Sequence, residues 1–256
     1  MTSTFDYCRL LPSLAVLMGI GFLQPVVHGQ LVLGQLDDFQ GGLDGWQSGS
    51  PIPPNPTPPT IVPNVGPNGT GDTAMQITSS GGSGAGSQLV AFNTAQWDGN
   101  YLSAGVTSIT VDLKNTGTTD LTMRLAFRGP DLTTWFVTNL GFDLTAGSAW
   151  QQAQFSLAEF DLTRVAGTQT YATTFGNVSE MRLLDNPALD FRGAPVVASV
   201  LVDNIAAVPE PSSDAAVLAL CAAATAACLR SSKESRSALR LHASGANRLG
   251  GPPDRP

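Results

Sequence analysis

The sequence predicts an all-β fold: an antiparallel, jelly-roll-like β-sandwich of about nine strands, flanked by an N-terminal signal helix and a C-terminal apolar helix. Three observations predict it. Glycine (27) and proline (18) are frequent while only 13% of residues are charged, which describes short strands joined by many turns. Hydrophobic residues make up 42%, enough to fill a core. Between residues 31 and 208, apolar and polar residues alternate in short runs separated by clusters of Gly, Pro, Asn, Asp and Ser.

Along the chain, the first element is residues 10–22, an apolar run preceded by Arg9 and followed by the small-residue positions Val27 and Gly29. This is the plan of a secretory signal peptide over 1–29, with the mature chain starting at Gln30. An uncleaved anchor is the other reading, although the run is shorter than a bilayer span. The predicted strands cover 31–39, 74–78, 87–93, 108–115, 121–128, 135–140, 149–156, 180–184 and 199–206, all within one domain, 30–208. Residues 51–67 carry eight prolines in seventeen positions and are expected to run as a surface loop outside any ladder. Residues 79–87, rich in Gly and Ser, form a second flexible connection. Helix is expected to be scarce, with one short turn at the capping-box spacing of Ser156 and Glu159.

Strands 108–115 and 121–128 carry the most specific expectation. Closed as a hairpin around 116–120, they set Ile109 opposite Phe127, Val111 opposite Leu125 and Leu113 opposite Met123, all apolar and on one face. The other face then pairs Asp112 with Arg124 and Lys114 with Thr122, and extends to Arg128, Gln152, Gln154 and Arg182. Such a face reads either as a solvated sheet surface or as a shallow sugar-binding surface, with planar groups pairing to adjacent hydroxyls and Trp135 or Tyr101 stacking on a ring. The candidate ligand-binding set is Asp112, Arg124, Arg128 and Trp135. Trp46, Trp97 and Trp150 are expected to seal the sandwich as core lids.

After the last strand, Val208, Pro209, Glu210 and Pro211 stop the sheet, and 215–229 forms a fifteen-residue apolar helix. Arg230, Lys233, Arg236 and Arg240 hold its far end on the cytoplasmic side. The segments are thus a motif with its helix, 209–229, and a basic tail without a fold, 230–256. They read as a removable sorting tail or as a simple C-terminal anchor.

Charge and residue types then exclude whole classes of function. The body, 30–208, holds 15 acidic and 6 basic side chains, whereas 209–256 holds 4 acidic and 6 basic. An acidic body repels a phosphate backbone, so nucleic acid is excluded as a partner. His28, His242, Cys8, Cys221 and Cys228 all lie in the terminal segments. The body therefore lacks Ser/His/Asp and Cys/His nucleophiles, zinc sites built on His or Cys, and disulfides. Its only glutamates, Glu159 and Glu180, stand in no motif that pairs them for glycoside hydrolysis, and the chain is expected not to be an enzyme.

Two resemblances rest on these residues. The run VPEPSS, the apolar helix and the basic cluster resemble the PEP-CTERM sorting signal of bacteria that make extracellular polymers. That resemblance implies Val208, Pro209, Glu210 and Pro211 as the sorting motif, and export through signal peptidase. It further implies transient inner-membrane anchoring, processing by a membrane-embedded exosortase, and a cell-surface or extracellular destination. The basic residues here are scattered rather than consecutive, and the chain continues past them to Pro256. The body, through Asp37-Asp38-Phe39 with Gly45-Trp46, through 97–115 and 147–157, and through Val202-Asp203-Asn204-Ile205, resembles the jelly roll of carbohydrate-binding-module-like, galactose-binding-like domains. This second likeness implies neighbouring first and last strands and a structural Ca²⁺ at their edge. Asp38 and Asp203 are its candidate oxygen ligands, or else simple surface acids with no cofactor. The function expected is an exported surface protein of structural or adhesive role, or alternatively a module that recognises an extracellular polysaccharide.

Overall fold

A computed structural model describes residues 31–49 and 57–209. Twelve strands run through them: β1 (Leu36–Asp37), β2 (Thr60–Val62), β3 (Ala74–Ser80), β4 (Val90–Asn93), β5 (Ser108–Asn115), β6 (Leu121–Arg128), β7 (Trp135–Thr138), β8 (Phe142–Leu144), β9 (Gln151–Ser156), β10 (Leu162–Ala166), β11 (Glu180–Asp185) and β12 (Val197–Val208). Two short helices, α1 (Tyr101–Ala104) and α2 (Tyr171–Phe175), and a 3-10 turn, Glu159–Asp161, accompany them. The signal segment 1–29, the C-terminal helix 215–229, the tail 230–256, Glu210 and Pro211 lie outside the described residues. No helix among the described residues is long and apolar enough to cross a membrane.

The strands form two antiparallel sheets packed as a sandwich. The first has the order β2-β3-β12-β5-β9, with β1 also on β12; the second has the order β10-β7-β6-β11-β4, with β8 also on β6. β1 sets Leu36 opposite Ala206 and Asp37 opposite Ile205, so the first and last strands are neighbours. Period-two alternation turns one side of each strand inward. Met75, Ile77, Ile109, Val111, Leu113, Val200 and Val202 from the first sheet meet Met123, Leu125, Phe127, Met181 and Leu183 from the second, all buried. Edge-to-face contacts among Tyr101, Phe127 and Phe175 fill one end of this core.

The hairpin expected over 108–128 does not form. β5 and β6 have the predicted bounds, yet β5 pairs with β12 and β9 while β6 pairs with β11, β7 and β8. Their apolar residues share the core by facing one another across the sandwich, not side by side on one sheet. Alternation fixes which face points inward but leaves the neighbouring strand undetermined. Asn115 holds the crossing: its Nδ2 donates to the carbonyls of Thr119 and Leu144, and its Oδ1 accepts from the Gly117 N–H.

Three further expectations change. Within the proline-rich segment, Thr60, Ile61 and Val62 do enter a ladder, opposite Gln76, Met75 and Ala74. The position is an edge, where flanking prolines cost no ladder hydrogen bond. Ser156 does not build a capping box; its hydroxyl accepts from the Ala158 N–H, and the 3-10 turn has no side-chain cap. Side-chain caps occur instead at Asn100 on α1 and Thr170 on α2. Trp46 and Trp97 are buried lids, but Trp150 is half-buried and straps the loop before β3, donating from Nε1 to the Val65 carbonyl at 3.0 Å.

Candidate functional site

The outward side of the second sheet is built from cross-strand rows. Phe92 of β4 stands opposite Arg182 of β11, which stands opposite Ala126 of β6, which stands opposite Val137 of β7. In the next row Glu180 faces Arg128, and Arg128 faces Trp135. Ala126 is small, so the Arg182 side chain crosses it and places its guanidinium 4.2 Å from the centre of the Trp135 ring. Glu180, its side chain 4% exposed, closes ion pairs with Arg182 (2.5 Å) and Arg128 (2.9 Å). A buried carboxylate holding two guanidinium groups fixes their planes beside the aromatic rings. Burial depresses the Arg182 pKa, which Glu180 opposes.

The chain after β11 folds back over this face. Phe191 stacks on Trp135 with ring centres 4.7 Å apart and planes 10° apart, leaving Trp135 only 4% exposed. Arginines tie the segment down. Arg124, itself 7% exposed, donates to the carbonyls of Asn186 and Pro187 in this segment, and to those of Thr138 and Asn139. Arg182 Nη1 donates to the Phe191 carbonyl, and Asn186 Nδ2 to that of Arg192. The fixed segment holds Arg192 over the Phe191 ring at 4.8 Å, on the rim of a cleft of about 250 Å³. Phe92 and Val90 line that cleft from β4, Arg182 from β11, and Gln88 and Ser83 from the connection before β4. Among the described residues its lining contains two guanidinium groups and no carboxylate.

A second constellation lies on the first sheet, where β12 bulges between Asp203 and Ala206 and Asn204 takes a positive φ of 49°. Asp203 is completely buried. Its Oδ1 accepts from the Asn204 N–H, and its Oδ2 has no hydrogen-bond partner among the described residues. Burial, then the nearby charges of Asp72, Asp112 and Asp38, push its pKa up to about 7. The loop before β3 supplies Asp72, whose Oδ2 accepts from the Asn68 N–H and whose Oδ1 accepts from Gln40 Nε2. Gly66 makes this approach possible: a Cβ there would stand 2.4 Å from the Asp72 carboxyl and 3.0 Å from Asp203 Oδ2. An orphaned buried carboxylate oxygen beside a second carboxylate fits a hard cation such as Ca²⁺, which takes oxygen donors. The fit is partial, because among the described residues no three Asp, Glu, His or Cys side chains gather as a ready-made metal site. Asp72, unremarked in the sequence, is Asp203's nearer partner; Asp38 is exposed and accepts from the Gln40 N–H.

The sequence-predicted residues thus divide. Arg128 and Trp135 come together, with Arg182 and Glu180. Asp112 does not join them: it lies on the first sheet, opposite Asp203 and Gln152, and accepts from Asn204 Nδ2. The Asp112–Arg124 pair is therefore not formed, and the polar face expected to be continuous is split between the two sheets. Tyr101 is fully buried, its hydroxyl donating to the Trp97 carbonyl, which removes it as a stacking platform. Glu159 sits in the 3-10 turn before the edge strand β10, while Glu180 starts β11, with β7 and β6 between. Three strand spacings separate them by about 14 Å or more. Val208 ends β12 and the exposed Pro209 comes directly after it. The cleft residues Phe92, Gln88 and Arg192 escaped the sequence reading; the one signal was Phe191-Arg192, an aromatic-cation pair in an acidic body.

No protein-family model matches the chain. No curated protein matches it in sequence. Among solved structures, an exo-β-agarase is similar over 70% of this chain and 26% of its own, with 13% identity and a TM-score of 0.48. The family 11 carbohydrate-binding module from Clostridium thermocellum, in complex with a β-1,3-1,4-mixed-linked tetrasaccharide, is similar over 70% of this chain and 99% of its own, with 17% identity and a TM-score of 0.44. Carbohydrate-binding modules of the β-sandwich superfamily include a further similar chain, over 69% of this chain and 62% of that one, with 13% identity and a TM-score of 0.39. The chain spans about a quarter of the agarase's length.

Proposed function

We propose that the body, residues 31–208, is a carbohydrate-binding module that holds a polysaccharide against the outward side of the second sheet, on a protein exported to the cell surface. The observation that supports it most is the chemistry of the cleft. Phe92 and Val90 offer an apolar floor for the carbon face of a sugar ring, while Arg182, Arg192 and Gln88 offer planar donors for neighbouring hydroxyls. Trp135, Arg128 and Glu180 form the fixed layer beneath, and so position these groups without touching a ligand themselves. Binding without turnover is the consistent reading, since Glu180 is neutralised by two arginines and Glu159 stands more than the about 5–10 Å from it that glycoside hydrolysis uses.

Export is supported by the apolar run 10–22, and sorting by the VPEPSS run with its apolar helix, which together call for signal peptidase and an exosortase-like enzyme as partners. A Ca²⁺ held by Asp203 and Asp72 completes the proposal. It would neutralise two carboxylates and fasten the loop before β3 onto the β12 bulge, a structural role on the sheet opposite the cleft.

Retention of the purified body on a panel of immobilised polysaccharides tests the reading. At least one polymer retains the wild type, Phe92→Ala weakens that retention about tenfold, equivalent to about 1.4 kcal/mol, and Lys114→Ala on the other sheet leaves it unchanged. Uniform failure to bind would leave the structural or adhesive role in its place.

A further inference from the structure

We infer that the cleft beside Arg182 and Arg192 selects acidic sugar units, those bearing a carboxylate or a sulfate group. The inference rests on the carbohydrate-binding reading and specifies its ligand.

The distribution of charge carries the argument. The body holds 15 acidic side chains against 6 basic ones, yet the cleft is lined by two of the six bases and none of the fifteen acids. The surrounding cluster repeats the bias: Arg128, Arg182 and Arg192 stand against Glu180 and Asp190, and Glu180 is already divided between two guanidinium groups. Asp190 accepts the backbone N–H of Arg192. The Arg192 guanidinium forms no hydrogen bond or ion pair among the described residues, and it lies over the Phe191 ring. Arg182 spends Nε on Glu180 and Nη1 on the Phe191 carbonyl, and among the described residues its Nη2 has no hydrogen-bond partner.

Two guanidinium groups with unspent donors on one rim are poorly used by neutral hydroxyls alone, because desolvating a cation is repaid in full only by an anion. A carboxylate or sulfate accepts from such donors in parallel, and its ring lies over Phe92 at the same time. The acidic remainder of the body limits the charge density a ligand can carry. A densely charged polyanion such as DNA is repelled beyond the cleft, whereas isolated charges spaced along a sugar chain are screened within about 8 Å at physiological ionic strength. At about 250 Å³ the cleft is smaller than the roughly 300–1,000 Å³ of ordinary ligand pockets, so it suits one ring and its acid group rather than an enclosed oligosaccharide.

The experiment compares matched ligands on the full body. Carboxylated polymers (polygalacturonate, alginate), a sulfated one (carrageenan), neutral counterparts (methyl-esterified galacturonan, agarose) and double-stranded DNA are immobilised and probed at low and high salt. The expected result is retention on a carboxylated or a sulfated polymer, the two arms telling which. Retention on the neutral partner is at least tenfold weaker, and salt reduces the acidic binding. Arg192→Gln, at an exposed side chain that leaves folding intact by its unchanged melting temperature, lowers the acidic affinity about tenfold, the worth of one charge-assisted contact. Lys114→Gln removes the same charge from the opposite sheet and leaves affinity unchanged. Equal or better binding to neutral polymers overturns the acidic selectivity while the carbohydrate-binding reading stands. Acidic binding that ignores Arg192→Gln, or that DNA matches, also overturns it. Binding to no polymer removes both.

Discussion

Asp37 shows how much one side chain can organise. Its Oδ2 accepts from Trp46 Nε1 at 2.7 Å and from Trp97 Nε1 at 2.6 Å, deep in the body. Burial raises its pKa, while the two indoles pull it back. Asp37→Ala would strand two buried indole donors, at about 1–3 kcal/mol each, so a loss of about 3 kcal/mol in denaturant unfolding is expected; Asp37→Asn, which keeps an acceptor, loses far less. A loss under about 1 kcal/mol for the alanine variant would contradict this role. The sequence announced both tryptophans as lids but not their shared acceptor, because Asp37 and Trp97 are 60 positions apart and no local pattern links them. Arg124 illustrates the converse error. Its charge suggested a surface partner, whereas its side chain is absorbed by four backbone carbonyls, a satisfaction that depends on loops the sequence leaves unplaced.

At the level of elements, β5 and β6 were legible to the residue, and so was the face each buries. Their partners were not, since a five-residue connection suits a hairpin as well as a crossing between sheets, and only the long-range pairing of β12 with β5 decides between them. β12 also carries the bulge that buries Asp203, and here a pH prediction belongs. The folded pKa, about 7, lies above the ordinary 3.8, so the metal-free fold prefers the protonated acid. This contribution is complete below the ordinary value and is lost as pH climbs toward 7. Asp37, Asp44 and Asp185 are also raised by burial, so the difference between wild type and Asp203→Asn isolates the residue. In a chelator, Asp203→Asn melts above the wild type at pH 8, and the gap narrows as pH falls and closes only below the ordinary carboxyl value of 3.8. Saturating Ca²⁺ raises the wild-type melting temperature by about 5–10 °C and leaves the variant unmoved. Calcium shifting both equally, or neither, would remove the ion from Asp203.

The whole molecule gathers its bases on one sheet. Arg124, Arg128, Arg164 and Arg182 belong to the second sheet and Arg192 to the segment covering it, while Lys114 is the one base on the strands of the first. Acids stand on both: Asp37, Asp112 and Asp203 on the first sheet, with Asp38 and Asp72 near Asp203, and Asp143, Glu180 and Asp185 on the second. Composition foretold an acidic body but not this polarity, because a count has no direction. On the proposed reading each face would have its own work: a cation would stabilise one side, and the other would recognise the saccharide. Backbone amide NMR of the body titrated with the retained saccharide tests that division most directly. The account predicts shifts concentrated at Gln88, Val90, Phe92, Arg182 and Arg192. Shifts centred on Asp112, Lys114, Gln152 and Gln154 would place recognition on the wrong sheet and contradict it.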